Sequence, residues 1–491
     1  MRTVNSKILI AKIQLLCILI FLIVTAIQIH YVTYNDQQVS LIILLAVAYA
    51  YFLHIIQLKV IFGAINYFSF GFLFPFGYLI VYFQLAALDS FGFGIITQFE
   101  NFIWGGNQNI AKTITIAGLG IVAYFLGVSE KPSKCIGEIS NFRYPKSLVQ
   151  VLTYLSSFFY ILFILNSGSY IFGAYVNDGT WLAPYSVKLF NVCLFSALCV
   201  ELYRISQSNI HCSILTYLRS FYTPLLILTM INILFSIYVG DRGPVITYSI
   251  LLFSIFFIKF YRLSFFKVII LVVFSSFFLT ILGEARTRIS GEGFVGRVSS
   301  ANQDATTPVW FDERVPGSNF VELALSVRTL AVSLRDVPHE FSYQYGMFQI
   351  QQLVSVVPGL QGLVNKAIYD GNVIFNGSAN YITYLIHRRH VDYGDGSSVI
   401  ADLYLDFGVV GVIVVMFLFG RFISRIELDF CLGNFRLDFR FLAFLTYLAN
   451  SIYLSRSTLM LEFSGIVLSY FLIRTVLFFT KPKSDLCASS Y

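Results

Sequence analysis

The amino-acid sequence predicts an all-α polytopic membrane protein of about twelve transmembrane helices, with a large, partly helical outer loop between the ninth and tenth spans. Three observations carry that expectation. Hydrophobic residues are 57% of the 491 and charged residues 12%, with a mean hydropathy of +0.75, whereas a soluble domain is about 25% charged. Phe occurs 51 times, against 33 Lys plus Arg, and so much apolar surface needs lipid as its solvent. Finally, the short loops on one side of the implied membrane collect basic residues while those on the other are nearly free of them. These features exclude a soluble enzyme, a nucleic-acid-binding module and a disordered scaffold. The net charge of +7 is therefore no sign of a nucleic-acid partner.

Apolar windows recur at 11–33, 39–58, 63–88, 112–129, 148–166, 186–205, 221–239, 245–262, 266–283, 399–420, 439–455 and 459–479. Arg2 and Lys7 before the first give it the look of a signal peptide. Lys12 lies inside its start and no small-x-small cleavage site follows, so it reads as an uncleaved anchor. The third carries Pro75, which predicts a kink or tilt. Only a few residues around Arg456 separate the last two, which predicts a tight hairpin.

Topology follows from the positive residues. With the N-terminus in the cytoplasm, the inner side collects Lys131, Lys134, Arg143, Lys146, Arg204, Arg219, Lys259, Arg262, Lys267, Arg421, Arg425, Arg436, Arg440, Lys481 and Lys483. The outer segments 34–38 and 89–111 contain no Lys or Arg. The organisation expected is therefore 1–283 as nine spans with short loops, 284–398 as an outer cap, 399–480 as three further spans, and 481–491 as a cytoplasmic tail. No Cys falls in an outer loop, and the sequence has no CxxC or HExxH; no metal is expected. Each inner loop is about 20 residues or shorter, too small for a nucleotide-binding domain of roughly 100, and no Walker A pattern occurs. No cofactor is expected.

The segment 284–398 is too long for an ordinary connection and reads as functional. Apolar spacing predicts helices over 318–335 and 346–356, the second ending at Pro358-Gly359; 361–398 shows no helical stripe. Its cations are Arg286, Arg288, Arg297, Arg314, Arg328, Arg335, Arg388 and Arg389, with Lys366 the single Lys. Guanidinium groups grip phosphate oxygens bidentately, so the loop suits a lipid diphosphate. The alternative is that these Arg pair with the loop's own acids, among them Glu284, Asp336 and Glu340. Two more Arg lie in short outer turns, against the positive-inside rule: Arg242 in Gly240-Asp241-Arg242-Gly243-Pro244, and Arg456. A bridge to Asp241 with interfacial snorkelling is the plainer reading of Arg242.

From this turn onward the chain resembles the Wzy-type O-antigen polymerases, the oligosaccharide repeat-unit polymerases of bacterial surface polysaccharide synthesis. The resemblance rests on the GDRGP turn, on Gly283-Glu284-Ala285-Arg286, on Val357-Pro358-Gly359 at the end of the second loop helix, and on the return at Ser397 through Asp402 and Asp406 to Gly408 and Gly411. Arg335 and Gly346 stand at the family's Arg-x10-Gly spacing, without a second copy. The resemblance implies an inner-membrane glycosyltransferase at the periplasmic face, with undecaprenyl-diphosphate-linked oligosaccharides as donor and acceptor. It also implies membrane lipids, a chain-length regulator and a flippase as partners. No nucleotide is needed, because the glycosyl-diphosphate bond supplies the energy.

That chemistry requires stabilisation of a leaving diphosphate, a base for the attacking hydroxyl, and alignment of two lipid-linked substrates. Arg242, Arg286, Arg288 and Arg335 are the first candidates for diphosphate binding, followed by Arg456, Arg388 and Arg389. Asp402, Glu284 and His390 are candidate bases. Each has a plainer reading: Asp402 as an acid at a helix start, Glu284 as an i,i+4 partner of Arg288, and His390 as a solvated loop residue. Tyr343, Tyr345, Tyr369, Tyr381, Tyr384 and Tyr393 could stack on sugars or anchor at the interface. Three rivals stay open at this point: a ligase handing the glycan to lipid A core, a transferase using a polyprenyl monophosphate, and a flippase or transporter. The five-residue first outer loop disfavours the second, and the lack of internal repeats disfavours the third.

Overall fold

A computed structural model describes residues 2–29, 36–91, 103–104, 109–130, 144–168, 170, 179–207, 213–272, 274–275, 321–391, 394–433, 435–460 and 462–480. The described residues contain helices and no strand. In chain order the main ones are α1 (Arg2–Gln28), α2 (Asp36–Phe62), α3 (Phe70–Ser90), α4 (Asn109–Gly127), α5 (Lys146–Asn166), α6 (Ala183–Ser206), α7 (Ile214–Arg219), α8 (Thr223–Val239), α9 (Arg242–Ile255), α10 (Val327–Asp336), α11 (Met347–Val354), α12 (Leu360–Tyr369), α13 (Ser378–His387), α14 (Val399–Cys431), α15 (Phe439–Ala449) and α16 (Phe463–Thr480). Among the described residues, nine helices are long and apolar enough to cross a membrane, and α8 and α15 are shorter apolar helices. Half of the expected span 266–283, and the loop residues 284–320, lie outside the described residues.

Boundaries moved where local chemistry opposed hydropathy. The third span begins at Phe70 rather than 63. Gly63, with φ 74°, ends α2. Asn66 then organises a turn, its carbonyl accepting from Ser69 Oγ at 2.6 Å and its Oδ1 from the Phe68 N–H at 3.0 Å. Helix α14 runs 33 residues, past the expected end at 420. Its polar second half is tolerated because it is partnered. The Ser129 N–H donates to Ser424 Oγ at 2.8 Å, Arg425 Nε donates to Ser129 Oγ at 3.3 Å, and Glu427 is 2% exposed and bonded to α3. Helix α15 stops at Ala449, so the connection to α16 is longer than the tight hairpin expected. Within the loop, the stretch read as one helix over 318–335 is a single turn, Val321–Ala324, followed by α10. The segment 361–398, read as non-helical, holds most of α12 and all of α13. Each is only 10 residues, too short for a stripe to stand out from sequence rich in Gly and Asn.

The chain divides into two compact units, Met1–Lys134 with Pro308–Asp429 and Ser451–Leu461, and Cys135–Thr307 with Phe430–Asn450 and Glu462–Tyr491. In the first, α1, α2 and α4 pack on one another and α3 packs on α2 and α4. The start of α3 has no side-chain cap of its own. Glu427 takes that role from across the unit, accepting the Phe70 N–H at 2.8 Å and the Gly71 N–H at 3.1 Å, while His54 Nε2 lies 2.8 Å from the Gly71 carbonyl. A carboxylate on orphan N–H groups at a helix start is the favourable polarity. In the second unit, α5 pairs extensively with α6, α16 lies on α6, and α9 packs on α8 and α15.

Candidate functional site

Helix α14 is interrupted at Gly408, whose φ of 65° and ψ of −164° are not helical. The position needs glycine twice over. The dihedrals disfavour any side chain, and a Cβ there would sit 3.3 Å from the Tyr343 ring. The short helical piece before the break carries Asp402 and Asp406, which share a face at i,i+4. Both are fully buried.

The two carboxylates are used differently. Asp406 serves the backbone: Oδ1 accepts the Phe348 N–H at 3.3 Å and Oδ2 the Gln349 N–H at 3.1 Å. Helix α11 starts at left-handed Gly346 without a side-chain cap, so Asp406 supplies the cap from a distance. Asp402 accepts Gln349 Nε2 on Oδ2 at 2.6 Å, and the Ser378 and Gln352 side chains also face the carboxylate, while its buried Oδ1 makes no hydrogen bond of good geometry among the described residues. A buried carboxylate oxygen left open is uncommon and calls for an explanation.

The turn bearing Arg456 is fastened to the same elements. The Ile400 N–H donates to Tyr82 Oη at 3.0 Å, and that hydroxyl donates to the Ser455 carbonyl at 3.3 Å. Thr458 Oγ1 donates to Gln352 Oε1 on α11 at 2.6 Å. Gly77 on α3 lets the turn in, since a Cβ there would lie 2.5 Å from the Ile452 carbonyl. Arg456 is half-buried, and its guanidinium makes no ion pair among the described residues.

The Arg residues of the loop helices are engaged with acids. Asp336, fully buried, receives Arg335 as a fork, Nε to Oδ1 at 2.7 Å and Nη2 to Oδ2 at 2.9 Å, and also Arg388 Nη2 at 2.9 Å. Arg388 bridges on to Glu340 at 2.8 Å and lies 5.3 Å over the Phe341 ring. These bonds from Asp336 hold the Arg335 guanidinium above its ordinary range. Nearby, Asp395 meets His387 Nε2 at 2.8 Å and Arg328 at 3.4 Å. Arg389 and His390 are exposed. Tyr381 is buried, and burial pushes its phenol up to about 12; Tyr345 is 76% exposed.

Arg242, in the second unit, is the half-buried first residue of α9, and the Asp241 side chain accepts the Gly243 N–H at 3.2 Å. Glu284, Arg286, Arg288 and Tyr393 lie outside the described residues. The structure thus gathers Asp402 with the Arg456 turn, and Arg335 with Arg388. It adds Asp406, Gln349, Asp336 and Tyr82, which sequence reasoning did not single out as site residues. Asp406 had a signal, four residues after Asp402 in the same motif. Tyr82 had none, because its partners lie over 300 residues away in sequence. Among the described residues no group of three or more His, Cys, Asp or Glu could hold a metal ion.

Fold and site together define a multi-pass membrane protein with a buried carboxylate and an arginine-bearing turn at the ends of its helices. The family model for the O-antigen polysaccharide polymerase Wzy matches residues 13–483, nearly the whole chain, and the protein belongs to that family. It is thus a polymerase of polysaccharide synthesis in the bacterial inner membrane. Comparisons with curated proteins and with solved structures give no match.

Proposed function

We propose that the protein joins undecaprenyl-diphosphate-linked oligosaccharide repeat units into O-antigen or a related surface polysaccharide at the periplasmic face of the inner membrane. A hydroxyl of the arriving unit attacks the anomeric carbon of the growing chain. The new glycosidic C–O bond forms as the bond from that carbon to the diphosphate oxygen breaks. The diphosphate leaves with the electron pair, and the hydroxyl proton passes to a carboxylate. Asp402 is assigned as that base, and the observation carrying the assignment is its buried Oδ1, without a hydrogen bond of good geometry among the described residues. Arg456 is assigned to the developing charge on the diphosphate, because its guanidinium is not committed to an acid among the described residues. Arg242 and Arg389 are proposed to assist. Arg335 and Arg388, held by Asp336 and Glu340, are proposed to face the diphosphate with the edges those acids leave open.

The test is elongation of one defined lipid-linked repeat by purified protein without nucleotide. A ladder of products is expected from the wild type; none from a folded, membrane-inserted preparation would overturn the reading. In cells, Arg242→Ala is expected to stay in the membrane and lose long chains while single units still reach the surface. Loss of all glycan attachment would instead mark a ligase, and transport of the lipid-linked unit without elongation would mark a flippase.

A further inference from the structure

A second cluster of cations belongs to the unit that contains α5 to α8. Helix α5 begins at Lys146, α6 carries Arg204 in its last turn, α7 ends at Arg219, and α8 begins at Thr223. These four ends line one cavity of about 280 Å³, near the lower edge of the roughly 300–1,000 Å³ typical of small-molecule pockets. Its acid is already neutralised. Glu201, 1% exposed, accepts Arg204 Nε at 2.9 Å, Arg204 Nη2 at 2.6 Å and the Tyr222 N–H at 2.8 Å. Lys146 and Arg219 are exposed and form no ion pair among the described residues. The cavity therefore keeps an excess of two positive charges; the positive ends of α5 and α8 are offset by the carbonyl ends of α6 and α7, so the side-chain cations set its sign.

Its level in the membrane indicates what it takes. It lies where apolar helices α5 and α6 reach the surface, on the cytoplasmic side if the basic residues set the topology. Beside it, α7 has the form of an interfacial helix. Tyr217 is fully buried with its hydroxyl donating to the Leu252 carbonyl at 2.7 Å, while Ile214 and Leu215 are 48% and 56% exposed. The apolar residues precede Arg219 by one turn, as in helices that lie along a bilayer with a cation at headgroup height. We infer that this cavity binds the phosphate of an anionic phospholipid, with Lys146 and Arg219 on the phosphate oxygens and Ile214 and Leu215 against the acyl chains. Basic pockets between helix ends on the cytoplasmic side suit that ligand. Such a lipid ties four helix ends together, which gives it a stabilising role independent of polymerisation.

The experiment uses the full chain in detergent, equilibrated with phosphatidylglycerol or with phosphatidylcholine, and reads retained lipid by native mass spectrometry. Wild type is expected to retain phosphatidylglycerol about tenfold better. Combined Lys146→Gln and Arg219→Gln is expected to lower retention to the phosphatidylcholine level, with the thermal midpoint in phosphatidylcholine unchanged because both side chains are exposed. The combined Lys146→Arg and Arg219→Lys variant keeps the charge and should keep the preference, which separates lost binding from lost folding. Equal retention of phosphatidylglycerol by wild type and the Gln variant would overturn the site. A thermal shift produced by inorganic phosphate but not by phosphatidylglycerol, and abolished in the Gln variant, would make the ligand a soluble phosphate and overturn the lipid assignment.

Discussion

Two regions of the first unit concentrate charge, and they differ in how it is satisfied. Around Asp336 every cation has an anion: Arg335 forks onto Asp336, and Arg388 bridges Asp336 and Glu340. Around Asp402 the arrangement is more open: one buried carboxylate oxygen makes no hydrogen bond of good geometry, and Arg456 makes no ion pair, among the described residues. The first arrangement holds α10 to the end of α13. The second leaves donors and acceptors for something that arrives. The denser arginine cluster is thus held in place by its own acids and can offer only the edges they leave, while the sparser one is better prepared for chemistry.

The substitution with the largest expected effect puts this contrast to its hardest test. Asp402→Asn keeps the shape and the Gln349 contact but removes the base. Loss of general-base catalysis costs about 10²–10⁴ in rate, and elongation of a defined lipid-linked repeat should fall by at least the lower figure with membrane insertion intact. Near-wild-type turnover would move the chemistry away from the open region altogether.

Asp336→Ala should do the reverse. It deletes a fully buried acid and leaves Arg335 without its carboxylate, while Arg388 keeps Glu340; both guanidiniums are over a third exposed, so stability should fall by about 1–2 kcal/mol, read as a lower thermal midpoint. Protein that survives should retain much of its turnover. If stability is unchanged and turnover collapses, the saturated cluster is itself the site and the two regions exchange roles.

Arg456→Ala should slow elongation by about 10²-fold if the guanidinium meets the leaving diphosphate. Arg456→Lys should restore only part of that, because a point charge cannot make the fork. Full rescue by Lys would reduce Arg456 to a field effect, and no effect of Ala would remove it from the chemistry.

The sequence made the class of protein plain and the wiring of the site only half so. Hydropathy and the placement of Lys and Arg located nearly every long helix, because lipid imposes one strong requirement on 20 consecutive side chains. Helices α12 and α13 escaped, since each is too short to display a period. Arg456 stood out as a charge on the disfavoured side, and Asp402 as an acid at a helix start, so both halves of the open region could be read locally. Their pairing could not, because it runs through Tyr82 on one helix and Gln349 and Gln352 on another, polar residues of no local distinction that come from two separate stretches of chain. Asp336 was visible as a pairing acid, yet nothing local told that it would take two arginines, one of them fifty-two residues on.

The smallest effect is expected where the two acids of α14 are compared with each other. Asp406→Asn retains an acceptor for one of the two N–H groups at the start of α11 and loses the charge that favours that end of the helix. The cost should be about 1 kcal/mol, a modest fall in thermal midpoint, with chain elongation reduced only as far as α11 loosens and Gln349 drifts from Asp402. Neighbouring carboxylates on one face of one helix would then differ by orders of magnitude in their effect on rate. Equal losses from Asp402→Asn and Asp406→Asn would instead mean that the pair shares a proton, and that the open oxygen of Asp402 is not what sets it apart.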